Sequence, residues 1–182
     1  MRLAVRPYGV LGSFKTRSGA VNKVMPVPAP GLPFIDPAGL HHIQQHGPQG
    51  AGGASGQIYQ FLGIQHDTQF PAAVRAAIQA PCQAKLQYYG QKACLHVVGP
   101  DFNGRNCSRD QAVHELTAAY SAVLRQFGYA RLGGLRLLPV RQTAATFLVL
   151  AQHALVTVAL TPASFALSGG SVCVYVSATR EI

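Results

Sequence analysis

Residues 109–127, RDQAVHELTAAYSAVLRQF, constrain the fold more than any other stretch of the chain. Val113, Leu116, Ala119, Tyr120, Val123, Leu124 and Phe127 recur at the helical period and line one stripe. That pattern predicts an amphipathic helix whose stripe must rest on another apolar surface. Gly128 follows where a helix commonly stops. The surface it needs is written on either side. Residues 93–98 (ACLHVV) form an apolar run of strand length closed by Gly99 and Pro100, and residues 135–140 (LRLLPV) form a second.

The same alternation extends outward. Strands are expected at residues 3–5, 20–27, 84–89 and 172–176, the last set off by Gly169 and Gly170. Helices are expected after Ser55, read as the N-cap of GQIYQFL, over residues 70–79 with Pro71 in the first turn, and over residues 146–160. Short apolar strands alternating with helices predict a three-layer α/β/α sandwich with a mixed, largely parallel central sheet. The 182 residues are enough for one domain with a full core, spanning residues 1–182. Residues 26–53, rich in Pro, Gly, His and Gln, read as one long irregular loop. Ligands of such sheets bind at the carboxyl ends of the strands. Residues 26–56, 99–108 and 141–146 are therefore the candidate loops.

Charge narrows the partners. Fifteen Lys and Arg against six Asp and Glu give a net charge of +9, which favours polyanions such as RNA, DNA, nucleotides or ADP-ribose chains. No apolar run reaches the roughly 18 residues that span a bilayer, so no membrane partner is expected. The first 35 residues carry Arg2, Arg6, Lys15, Arg17 and Lys23 with no acid, a composition compatible with a transit segment. An ordered strand at residues 3–5 argues against a cleaved leader. That strand makes a cytoplasmic setting the expectation over a mitochondrial one, and Cys82, Cys94, Cys107 and Cys173, with no C-x-x-C pair, fit reduced thiols inside a cell. His41, His42 and His46 cluster without a thiol or carboxylate at ligand spacing and read as loop residues, so neither a metal nor a cofactor is expected.

The stretch GPQGAGGASGQIYQFLG, residues 47–63, runs from glycines into a helix. Gly50, Gly52, Gly53 and Gly56 permit positive φ, and N–H groups at a helix start attract anions. Gly52, Gly53, Ala54, Ser55 and Gly56 are accordingly candidate ligand-binding residues. So are Arg141, whose guanidinium suits a bidentate phosphate contact, Thr143, Ala144, Ala145, Thr146 and Phe147 in the third loop. Tyr88, Tyr89, Phe102 and Phe147 offer faces for stacking on a base. His96 reads as a buried, hydrogen-bonded histidine, and Cys94 and Cys173 as inert core thiols. Asp36 and Asp101 stand one to a loop and do not form an acid/base pair.

Four of these segments, by their order along the chain, resemble the macro domain family of ADP-ribose-binding modules. LHVVGPDF (residues 95–102) is similar to the family's strand ending in His-x-Val-Gly-Pro, and HELTAAYSAVLRQF to the helix that follows it. LRLLPV takes the place of the strand before the second phosphate loop, and GAGGASGQIYQFLG that of the first phosphate loop and its helix. The resemblance spans about residues 2–177 and implies ADP-ribose, a related nucleotide or an ADP-ribosylated macromolecule as partner.

The departures are specific. The family's Val-Asn-Ala-Ala-Asn signature is expected at residues 24–30, with Pro26 and Ala29 at its two asparagines. Alanine has no side chain to orient a ribose or a water. Val10 stands where the adenine-binding aspartate is expected, and residues 141–147 lack the glycine of the second loop. The resemblance therefore implies binding without catalysis. Two alternatives stay open: a basic RNA- or ribonucleoprotein-associated scaffold, and an active ADP-ribosyl hydrolase.

Overall fold

The computed structural model describes residues 2–6, 11–15, 21–23, 32–132, 134–137 and 171–175. The strands are β1 (Arg2–Arg6), β2 (Ser13–Lys15), β3 (Val21–Lys23), β4 (Phe34–Pro37), β5 (Ala84–Tyr89), β6 (Lys92–Val97), β7 (Gly134–Leu137) and β8 (Ser171–Tyr175). Among the described residues the helices are α1 (Gly53–Leu62), α2 (Ala72–Ala77) and α3 (Arg109–Tyr129), and one wide π turn covers His42–His46. Six strands form one sheet in the order β1-β8-β7-β4-β6-β5. All its pairings are parallel except β5 with β6, a hairpin joined through Gly90, whose φ is +61°. The sheet is mixed and largely parallel, as the alternation predicts.

β6 shows how the pleat builds three layers. Successive side chains of a strand point to opposite faces. Leu95 and Val97 join Ile35, Leu135 and the α3 stripe in one core, while Cys94 and Val98 join Phe34, Ile43, Ile58, Tyr59 and Phe70 in the other. α3 thus covers one face, and α1, α2 and the π turn cover the opposite face. The α3 stripe is buried at Leu116, Ala119, Tyr120, Val123, Leu124 and Phe127; Val113 is only half-buried, and Ala112 takes its place. Each large apolar side chain sealed in this way contributes about 1.5–3 kcal/mol. Ser108 caps the helix by accepting the Gln111 N–H at 3.2 Å, and Asp110 complements the dipole in the first turn.

Four expectations are corrected. Gly128 does not end α3: the helix runs through it to Tyr129, and Arg131, at φ +50°, makes the left-handed turn. The strand expected at residues 20–27 is the short β3, paired with β2 outside the main sheet. Residues 26–53 are not one irregular loop, since they contain β4 and the π turn. β4 is hard to recognise because it is four residues long, with a buried aspartate and a closing proline. Pro37 is the last residue of this central strand, and its missing N–H ends the ladder there. Finally, Ser55 is not an N-cap. Gly52 holds that position, and Gly63, at φ +83°, closes α1.

Candidate functional site

The loop leaving β4 returns through the π turn and the glycine run to the start of α1, at the carboxyl end of a central parallel strand. Its glycines have different tasks. Gly50 and Gly53 take positive φ, at +75° and +58°, with open space where a Cβ would stand. Gly52 is extended instead, at φ −101° and ψ −176°. Gly56 is inside the helix, and a Cβ there would stand 2.4 Å from the Ala51 carbonyl oxygen. Gly47 combines φ +70° with the Thr68 backbone 2.4 Å from its missing Cβ, so the loop is pinned at its entry.

The first N–H groups of an α-helix have no intrahelical acceptor. Gly52 offers no side chain to receive them, and no acidic residue stands in the first turn. Gly52, Gly53 and Ala54 are exposed, so this end of α1 presents its backbone donors to solvent. An anion is favoured there by hydrogen bonds and by the helix dipole together.

Beneath this turn is a polar cluster that the sequence pattern does not reveal. The Asp36 carboxylate, fully buried on β4, accepts at Oδ1 from Ser55 Oγ over 2.6 Å and at Oδ2 from the Tyr59 hydroxyl over 2.6 Å. His96 Nδ1, on the paired position of β6, lies 2.9 Å from the same Oδ2. Its Nε2 lies 2.8 Å from the Tyr89 hydroxyl. Because the carboxylate can only accept, Nδ1–H donates to Asp36, and Nε2 shares a proton with the Tyr89 hydroxyl. Burial, reinforced by nearby negative groups, holds both tyrosine hydroxyls far above their usual range, so both stay protonated.

Asp36 is therefore neither a loop carboxylate nor isolated. It supports the glycine loop from below, and three donors absorb its charge. His96 is buried and hydrogen-bonded. Asp36, Cys94 and His96 also place an oxygen, a sulfur and a nitrogen within 4.8 Å of one another. Both carboxylate oxygens already hold proton donors, so the set is hydrogen-bonded rather than ligating.

The other nominated residues are dispersed. Tyr89 is committed to His96, Tyr88 lies exposed on the edge strand β5, and Phe102 packs toward the α3 core with the Arg105 guanidinium 5.9 Å from its ring centre. Asp101 Oδ1 accepts the Asn103 N–H at 2.9 Å in its own turn. Arg141, Thr143, Ala144, Ala145, Thr146 and Phe147 lie outside the described residues, as do Val10, Pro26, Ala29 and the helix expected at residues 146–160. Among the described residues no helix is long and apolar enough to cross a membrane.

The sheet order and the helix layers define a macrodomain fold. The chain is similar to the macro domain of ganglioside induced differentiation associated protein 2, at 12% identity and a TM-score of 0.58, over 99% of this chain and 79% of that one. It is similar to the macrodomain of Thermus aquaticus DarG, at 12% identity and a TM-score of 0.57, over 95% and 97% of the two chains. An Oceanobacillus iheyensis macrodomain solved with ADP matches at 16% identity and a TM-score of 0.57, over 81% and 77%. No family model and no curated protein matches the sequence.

Proposed function

We propose that this protein binds ADP-ribose, a related nucleotide diphosphate or an ADP-ribosylated macromolecule at the loop of residues 50–56, without hydrolysing it. The observation that carries this reading is the uncapped, exposed start of α1 at the carboxyl end of β4. Gly50 and Gly53 supply the positive φ that lets backbone N–H groups converge on a diphosphate. Fold likeness to macrodomains, one of them solved with ADP, points to the same ligand class. The non-catalytic part rests on the resemblance, which puts Pro26 and Ala29, neither with a side chain to orient a ribose or a water, at the family's two asparagines, and on Asp36, whose oxygens are occupied.

Calorimetric titration with ADP-ribose and with ADP tests the binding. Saturable heat that disappears in Gly53→Val supports it; no heat at millimolar ligand overturns it. Release of ADP-ribose from a modified protein would overturn the non-catalytic part. The net charge of +9 favours a second reading, a basic RNA-associated scaffold. RNA binding that falls steeply with salt, with no response to ADP-ribose, would select it.

A further inference from the structure

We propose that His41 and His46 form a binding site for a divalent transition-metal ion, Zn2+ foremost, on the turn between β4 and the glycine loop. Their Nε2 atoms converge to 2.7 Å, with the rings edge to face at a centroid distance of 4.5 Å. Both side chains are exposed, so the convergence is not forced by packing in a core.

The backbone explains it. Residues five apart point in different directions on an α-helix. Here the chain winds wider, with the Gly47 N–H donating to the His42 carbonyl over 2.9 Å, and the wide turn brings residue 41 over residue 46. Such π turns are costly and recur at functional sites.

Two neutral imidazoles can share one proton between facing nitrogens, and two protonated ones repel. A cation accepts both lone pairs at once. Zn–N bonds of about 2.0–2.1 Å at a tetrahedral angle set two nitrogens roughly 3.3 Å apart. Opening the pair from 2.7 Å needs only small side-chain rotations at an exposed site. The His42 ring centre lies 6.1 Å from that of His46, but its nitrogens do not come within 4.8 Å of both facing atoms, so the protein supplies two imidazole ligands. Imidazole ligands without thiolate or carboxylate select Zn2+, Cu2+ or Ni2+ over Mg2+ or Ca2+. The remaining coordination positions face solvent and are open to water or an anion.

The test is titration of Zn2+ alone into the full chain by calorimetry, repeated with Co2+ by visible absorption. One equivalent bound at micromolar concentration supports the site, provided that binding is lost in His41→Ala and in His46→Ala and kept in His114→Ala. Thermal melts of the variants in metal-free buffer establish that they fold. A cobalt spectrum without a thiolate charge-transfer band supports imidazole ligation, whereas a strong thiolate band places the metal on cysteine and overturns the proposal. So does wild-type protein that takes up no Zn2+, or a His41→Ala/His46→Ala double variant that still does. The result does not depend on nucleotide binding, so the two readings stand or fall separately.

Discussion

Ser55 Oγ lies 2.6 Å from Asp36 Oδ1, and this bond ties the first turn of the glycine-loop helix to the central strand of the sheet. A serine at a helix start normally turns back on its own backbone. This one reaches down to a buried carboxylate, leaving the N–H groups of the first turn without a side-chain acceptor. Ser55→Ala removes one of three donors and is expected to cost about 1 kcal/mol. Asp36→Ala orphans Ser55, Tyr59 and His96 together and is expected to cost about 3–5 kcal/mol, as when a buried charged partner is removed. Urea unfolding of both variants measures the difference. Equal, small losses would show that the network does not hold the loop.

Gly47 and Gly39 flank the π turn and respond differently to a methyl group. At Gly47 an added Cβ stands 2.4 Å from the Thr68 backbone and the residue needs φ +70°. At Gly39 nothing lies within 4 Å and φ is not positive. Gly47→Ala is expected to destabilise by more than about 1 kcal/mol, and Gly39→Ala to be neutral or slightly stabilising. Thermal melts of the pair decide it. Similar melting temperatures would count against the tight approach of residues 47 and 68.

Periodicity makes α3 and β6 legible, because each buries a continuous face and so writes a regular pattern into the sequence. The centre of the candidate site leaves no such trace. β4 buries Phe34 and Ile35 on opposite faces within four residues, then inserts Asp36 where an apolar residue would be expected. Its partners Ser55, Tyr59 and His96 lie 19 to 60 residues away, at separations that no local pattern encodes. The glycine run was visible as a loop before a helix. The division of labour among its glycines was not, because φ and close approach depend on Ala51 and Thr68 across the turn.

His42 makes stability depend on pH. Burial, then repulsion from His46, lowers its pKa below the ordinary 6.5, against a smaller opposing pull from Asp36. Between that lowered value and 6.5 the unfolded chain holds a proton that the folded chain does not. Its contribution to stability is therefore full above 6.5 and is lost as the pH falls through this window. Denaturation midpoints at pH 7.5 and pH 5.5 should separate in the wild type and draw together in His42→Gln. An unchanged gap would assign the pH dependence to other groups.

Cys94 supplies the last expectation. Its thiol is fully buried on β6, and burial, with the Asp36 charge adding to it, pushes its pKa well above that of a free cysteine. Alkylation requires the thiolate and access to it. Native protein treated with iodoacetamide near neutral pH should therefore be modified at the half-buried Cys107 long before Cys94, as read by peptide mass spectrometry. Asp36→Ala loosens the α1 face that covers Cys94 and removes the nearby charge, so labelling there should accelerate, whereas Gly39→Ala should leave it slow. Rapid modification of Cys94 in the native wild type would mean that α1 and the sheet separate far more readily than their shared core implies.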